Sequence, residues 1–250
     1  MGKYLDYVEG VSGLPFRPDS TCALYLPGQD DPQSAVIRDR SGKGNNGTIV
    51  GATWARTGRG LWVLSFDGAD DYISLGAPTF RTDQAGTIMA WVNLDNVTLS
   101  HQFFDYSKLS TAVVDEFRLE LVTAADAQTG FMRLVIYQNT VNTYSLNTAA
   151  GTLLRGTWQH IALVSTGAAT LMYIMGVSKA ITAGAGTADG VWLGDMVTDA
   201  DAIYVGVLAR SNDYIVDMTG DIALLTYCNI ALSAPTILRY VNQTKPLFGV

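Results

Sequence analysis

Between residues 64 and 76, LSFDGADDYISLG, three aspartates, Asp67, Asp70 and Asp71, fall within five positions between two short apolar runs. Carboxylates this close could supply part of the six to eight oxygens that calcium takes, or an acid pair for catalysis. Asp67-Gly68 is also a hairpin signature, with glycine providing the positive φ of a tight turn, and that structural role is the expected one. Histidine chemistry is confined to His101 and His160. Neither has a thiol partner or a Gly-x-Ser-x-Gly elbow, and His160, inside WQHIALV beside Trp158, reads as structural. No glycine-rich phosphate cradle joins a strand to a helix, so no catalytic residue is expected.

The five tryptophans and twelve tyrosines could build a platform on which sugar rings stack. Trp91 and Trp158 lie inside apolar strand motifs and belong to the core. Trp192, in the loop-rich DGVWLGD, is expected to be exposed and joins Tyr137 and Tyr144 as carbohydrate-binding candidates. N-x-T sequons begin at Asn46, Asn96 and Asn242 and are expected to be unused.

The 250 residues are 48% hydrophobic and only 16% charged, with a mean hydropathy of +0.17, so part of the surface should be covered by something other than solvent. No run reaches the roughly 18 apolar residues of a membrane span. Asp6 and Glu9 interrupt the first residues too early for a secretory signal, which implies a chain made in the cytoplasm. A net charge of −7 without a basic cluster speaks against nucleic acid. Cys22 and Cys228 match no zinc or redox spacing and are either buried thiols or one long-range disulfide.

The chain must position these groups on strands. Short β-branched and aromatic runs recur between Gly, Asp, Asn and Thr, among them CALYLP, LWVLSF, GTIMAWVNL, EFRLELV, FMRLVIYQ, WQHIALVS and GDIALLTYCN. Residues 182–190, TAGAGTADG, look like a mobile loop. Near the end, Ser233 as N-cap, Pro235 in the first turn and Ile237, Leu238 and Val241 on one face predict a short helix. The expected architecture is all-β: a two-sheet antiparallel sandwich of jelly-roll type over residues 21–250, one domain, with an extended N-terminal arm over residues 1–20.

The order DRSGKGNNGTIVGATW, LSFDGADDYISLG, GTIMAWVNLD, GTWQHIALV, LMYIMGV, GDIALLTYCNIALSAPTI resembles the laminin-G-like branch of the concanavalin A-like lectin/glucanase superfamily, over about residues 20–242. The resemblance implies a jelly roll with the first strand beside the last. Cys22 and Cys228 would then be neighbours within reach of a bond, although a protein that is not exported keeps its thiols reduced. Several branches hold calcium at loop ends. Here Met175-Gly176 and Ala223-Leu224 stand where relatives carry acids, which leaves Asp70 and Asp71 as calcium candidates with Asp39 and Asp221 to complete the shell, and no cofactor is assigned.

The glucanase branch places E-x-D-x-E on one strand face, and this chain has Glu116-Phe-Arg118-Leu-Glu120. An arginine in the centre would hold both glutamates ionised, so a solvated ion-pair ladder is expected there instead of a catalytic site. Family members occur as bacteriophage virion proteins. The leading expectation is therefore a non-enzymatic structural or interaction module, a capsid decoration or tail-associated protein. It would be homo-oligomeric, would meet protein partners through residues 1–20, and would work in a virion or similar assembly. A lectin-like glycan-binding module, calcium-dependent or not, is the alternative, and a glycan hydrolase the third.

Overall fold

The computed structural model describes residues 20–29, 31–95, 100–108, 115–123, 129–196, 202–210, 213–215 and 218–250. The expected arm lies outside them except for Ser20. In chain order the strands begin with β1 (Cys22–Leu26), β2 (Val36–Ile37), β3 (Gly47–Val50), β4 (Thr53–Arg56), β5 (Trp62–Asp67), β6 (Tyr72–Gly76) and β7 (Gly86–Leu94). They continue with β8 (Ser100–Ser107), β9 (Glu116–Thr123), β10 (Thr129–Gln138), β11 (Val141–Thr148), β12 (Leu153–Leu154), β13 (Gln159–Ser165) and β14 (Thr170–Ile174). The last are β15 (Val177–Lys179), β16 (Ile181–Ala185), β17 (Ala202–Val205), β18 (Leu208–Arg210), β19 (Asp213–Ile215) and β20 (Thr219–Cys228), followed by helix α1 (Ala234–Thr244).

Two large antiparallel sheets make the expected sandwich. The eight-stranded sheet runs β15-β14-β13-β7-β20-β5-β4, with β1 also beside β20. The ten-stranded sheet runs β16-β11-β10-β9-β8-β17-β6-β3-β2, with β12 beside β10. Strand alternation sends Ile88, Ala90, Val92, Ile161, Leu163 and Ile222 from the first sheet against Phe104, Phe117, Leu119, Met132, Leu134 and Ile136 from the second, forming the main core.

The eight-stranded sheet is buried on its other face as well. Helix α1 lays Ile237, Tyr240, Val241 and Thr244, an i, i+3, i+4, i+7 stripe, over Met89, Trp91, Ala162 and Tyr173. The Trp91 indole N–H donates to the Thr244 hydroxyl (2.9 Å), and Phe248 stacks on its ring at 4.4 Å. Ser233 caps the helix as expected, accepting from the Thr236 N–H. Leu238 does not join the buried face: it is 42% exposed, because Tyr240 and Thr244 rotate the stripe away from it. The segment expected to be a mobile loop is partly ordered, since Ile181–Ala185 pairs with β11.

The Asp67-Gly68 turn is not a hairpin. β5 belongs to the eight-stranded sheet and β6 to the ten-stranded one, so the chain arches from one layer to the other. Without strand pairing to close it, the Asp67 N–H is taken by the Asp71 carboxylate (2.7 Å). The β3–β4 turn makes a second arch beside it. Its Gly51, at φ +71°, packs so tightly on Asp71 that a Cβ there would collide with the carboxylate.

Strand β20 changes partners midway. Residues 219–222 pair with β5 and residues 225–228 with β1, and Leu224 takes a left-handed φ of +53° where the register shifts. This places Cys22 directly opposite Cys228, and the two are disulfide-bonded. The bond closes a loop with a sequence separation of 206, which in the chain-entropy view adds about 5 kcal/mol at most. Thiol titration in denaturant should therefore find no free cysteine until reductant is added, and reduction should lower the urea midpoint; two titratable thiols in the unreduced protein would refute the bond.

Candidate functional site

With one sheet covered by apolar side chains on both faces, the polar strand residues gather on the outer face of the ten-stranded sheet. On β9 the side chains of Glu116, Arg118 and Glu120 point outward, while Phe117, Leu119 and Leu121 point into the core. Cross-strand pairing sets Gln102 and Arg133 on either side of Glu120, Asp105 and Val135 beside Arg118, and Tyr137 beside Glu116. A bulge between Gln102 and Phe104 turns Phe103 and Phe104 both inward, so Gln102 and Asp105 share the outer face although they are three residues apart.

The glutamate–arginine ladder is present, but it is buried and not solvated. Glu116, Arg118 and Glu120 are 1%, 9% and 3% exposed. Arg118 Nε lies 3.2 Å from Glu116 and Nη1 3.4 Å from Glu120. Arg133 Nε donates to Glu120 (2.6 Å), and Arg210 stands 3.8 Å from Glu116. In a buried set like this, loss of one partner leaves an uncompensated charge, at a cost of about 3–5 kcal/mol.

Part of the cover is the β18–β19 hairpin. The Ala209 N–H donates to Asp105 Oδ2 (3.1 Å), and Tyr214 stacks on Tyr72 at 4.6 Å. Ser107 Oγ is 2.5 Å from Asp105 Oδ2 and 2.7 Å from the Ala209 carbonyl oxygen. The Ser107 hydroxyl donates toward both acceptors in a three-centre arrangement. Burial, with only partial relief from Ser107, raises the Asp105 pKa to about 8. At Glu116 burial outweighs the favourable charges of Arg118 and Arg210 and raises the pKa, where the central cation was expected to lower it.

Asp67, Asp70 and Asp71 bring carboxylate oxygens within 4.8 Å of one another, and neither Asp39 nor Asp221 belongs to that group. Asp71 is engaged with the Asp67 N–H, and Asp67 accepts from the Ala69 N–H (2.9 Å). Asp39 is used up in its own loop, accepting from the N–H groups of Tyr25, Ser41 and Asn45 and from the Ser41 hydroxyl. Asp221 lies between Ser65 and Asn93 in the eight-stranded sheet, with its pKa raised by burial.

The three aromatic candidates are not brought together. Trp192 is wholly buried, its indole N–H donating to the Tyr227 hydroxyl (2.9 Å) and its ring edge-on to Phe117, so it cannot stack on a surface sugar. The ring packs in the main core despite the glycines around it in sequence. Tyr144 pairs with Ile136 and packs against the main core, with its hydroxyl 3.3 Å from Asp189. Tyr137 alone lies on the outer face, half-buried, with the Arg118 guanidinium 4.9 Å from its ring centre. Near the arches, an open depression of about 400 Å³ is lined by Gln33, Ile49, Gly51 and Trp54.

Both histidines are buried. His101 accepts from the Thr219 N–H (3.1 Å). His160 sits between Trp91 and Tyr240 with neither ring nitrogen hydrogen-bonded, and burial lowers its pKa to about 3.

A family model described as the concanavalin A-like lectin/glucanases superfamily matches residues 67–238. Among solved structures, Trypanosoma rangeli sialidase in complex with sialic acid superposes with a TM-score of 0.63 at 15% identity, covering 92% of this chain and 34% of that one. This chain thus spans about a third of the sialidase. Domain 4 of a GH43 extracellular arabinanase from Geobacillus stearothermophilus, in complex with arabinotriose, gives 0.61 at 17% identity, covering 90% and 100%. The CBM40 of Ruminococcus gnavus IT-sialidase, bound to α2,3-sialyllactose, gives 0.57 at 14%, covering 71% and 96%. These are likenesses of fold. No curated protein matches the sequence.

Asp105 and His160 should tilt stability in opposite directions. A carboxyl raised to about 8 contributes stability that is complete below about pH 4 and is lost as pH rises to 8, at about 1.4 kcal/mol per unit. A histidine lowered to about 3 contributes stability that is complete above about pH 6.5 and is lost as pH falls. Urea unfolding across pH 3–9 should show the alkaline loss reduced in Asp105→Asn and the acid loss reduced in His160→Phe; parallel curves for wild type and both variants would refute these protonation states.

Proposed function

The chain belongs to the concanavalin A-like lectin/glucanase superfamily, and on that premise we propose that it is a non-catalytic carbohydrate-binding module whose ligand lies on the outer face of the ten-stranded sheet. The observation that carries this reading is the half-buried Tyr137 ring and the partly exposed Arg133 on a sheet face, held in place by the buried polar side chains of Gln102, Asp105, Glu116, Arg118 and Glu120. Planar polar side chains in fixed positions beside an aromatic ring are what sugar recognition requires: directed hydrogen bonds for hydroxyls and an apolar plate for the C–H face of a ring. The sugar complexes formed by the CBM40 and the arabinanase domain support the same reading.

Glycoside cleavage is the second reading, favoured by one feature, a carboxyl at Asp105 whose pKa burial raises to about 8, near a second carboxyl at Glu116. Against it, Asp105 is fully buried with Oδ2 engaged by Ser107 and Ala209, and Glu116 and Glu120 are clamped by arginines. The assembly reading relied on an arm outside the described residues, and none of the similar structures named above is a virion component. Among the described residues no helix is long and apolar enough to cross a membrane. A disulfide persists in oxidising surroundings, so we place the module's working environment outside the cytoplasm, wherever the chain is made.

Isothermal titration against immobilisable and soluble oligosaccharides should give saturable binding, weakened about tenfold by Tyr137→Ala through loss of one stacking contact. Release of reducing ends from the same sugars, abolished in Asp105→Asn, would favour the hydrolase instead.

A further inference from the structure

Both sheets run out at one edge of the sandwich, where β4 ends the eight-stranded sheet and β2, with β3 beside it, ends the ten-stranded one. The open depression of about 400 Å³ lies at this edge, between Gln33 and Ser34 ahead of β2, Ile49 on β3, and Thr53 and Trp54 on β4. That volume falls at the lower end of the roughly 300–1,000 Å³ of small-molecule sites.

Trp54 is held in one position there. Its indole N–H donates to the Ser34 carbonyl oxygen (2.9 Å), a bond from the edge of one sheet to the edge of the other. Its six-membered ring rests on Gly28, at φ +68°, where a Cβ would come 2.8 Å from Cζ3. The indole packs against the main core, and its partly exposed remainder lines the depression. With its one donor spent, Trp54 offers a ligand only the apolar ring. The side chains of Gln33 and Thr53 complement it: both residues line the depression, both are exposed, and neither side chain hydrogen-bonds another described residue.

This lining separates classes of ligand. None of the described residues around the depression is ionisable, so a charged ligand finds no counter-ion in it. A wholly apolar ligand would leave the Gln33 amide and the Thr53 hydroxyl unused. A fixed aromatic plate beside a neutral amide and a hydroxyl fits a ring that has a C–H face and a rim of hydroxyls.

We propose that this edge depression is a second sugar-binding subsite, which takes one neutral sugar ring against Trp54 with Gln33 and Thr53 as its polar contacts. It rests on the carbohydrate-binding reading above for the class of ligand, but not for the place. Tyr137 on β10 and Ile49 on β3 stand five strand spacings apart in the ten-stranded sheet, about 24 Å. The domain is then bivalent, and two sites that engage one polysaccharide together raise avidity without any new contact.

Titration calorimetry of the full chain with short neutral arabino-, galacto-, gluco- and xylo-oligosaccharides, paired with acrylamide quenching of tryptophan fluorescence, tests it. Two sugars should bind per chain, and saturation should shield a tryptophan that is missing in Trp54→Phe. Trp54→Ala should leave one site, and Tyr137→Ala should weaken only the other. Gln33→Gly, which suits the φ of +71° at that exposed position, should weaken the Trp54 site about fivefold and serves where Trp54→Ala does not fold. A single site, weakened by Tyr137→Ala and untouched by the edge variants, would overturn the second subsite and leave the outer-face reading intact. A single site weakened by the edge variants alone would uphold the subsite and overturn the outer-face reading. Binding of no sugar would overturn both.

Discussion

Everything on this molecule's surface follows from the double burial of its eight-stranded sheet. β7 and β13 are sealed between the main core and the stripe of α1, so they read as nearly continuous apolar runs and offer no face for recognition. Trp91 is the joint of that seal, held by Thr244 on one side and Phe248 on the other. Helix α1 is short, but it closes the outer side of that sheet.

The opposite sheet carries a set of buried charges. Burying several charges on a sheet face is poor for stability compared with an apolar equivalent, and it persists where a fixed polar constellation is needed. The β18–β19 hairpin ties that constellation down through Ala209, Arg210 and Tyr214. Its Tyr214, stacked on Tyr72 and edge-on to Tyr204, joins a small apolar cluster separate from both larger ones. Site geometry therefore depends on a peripheral hairpin as well as on the core strands.

Strand identity was legible in the sequence because apolar alternation is local, and so was α1, through Ser233 and Pro235. Layer assignment was not. LSFDGADDYISLG has the residue pattern of a hairpin, and only the pairing of β5 with β20 and of β6 with β17 makes it an arch. EFRLE announced charges on one face, but Gln102, Asp105, Arg133 and Arg210 come from other strands, and a bulge hides the kinship of Gln102 with Asp105. Alternation on QFFDYS, followed strictly, puts those two on opposite faces. Trp192 misled for the reverse reason: glycine-rich flanks suggest exposure, while the core took the ring.

The Cys22–Cys228 bond has a mechanical meaning. A pull transmitted along the backbone from either side of the domain meets a covalent link between its first and last strands, so the load bypasses the chain between them. Both sheets and the charged face then remain slack under tension.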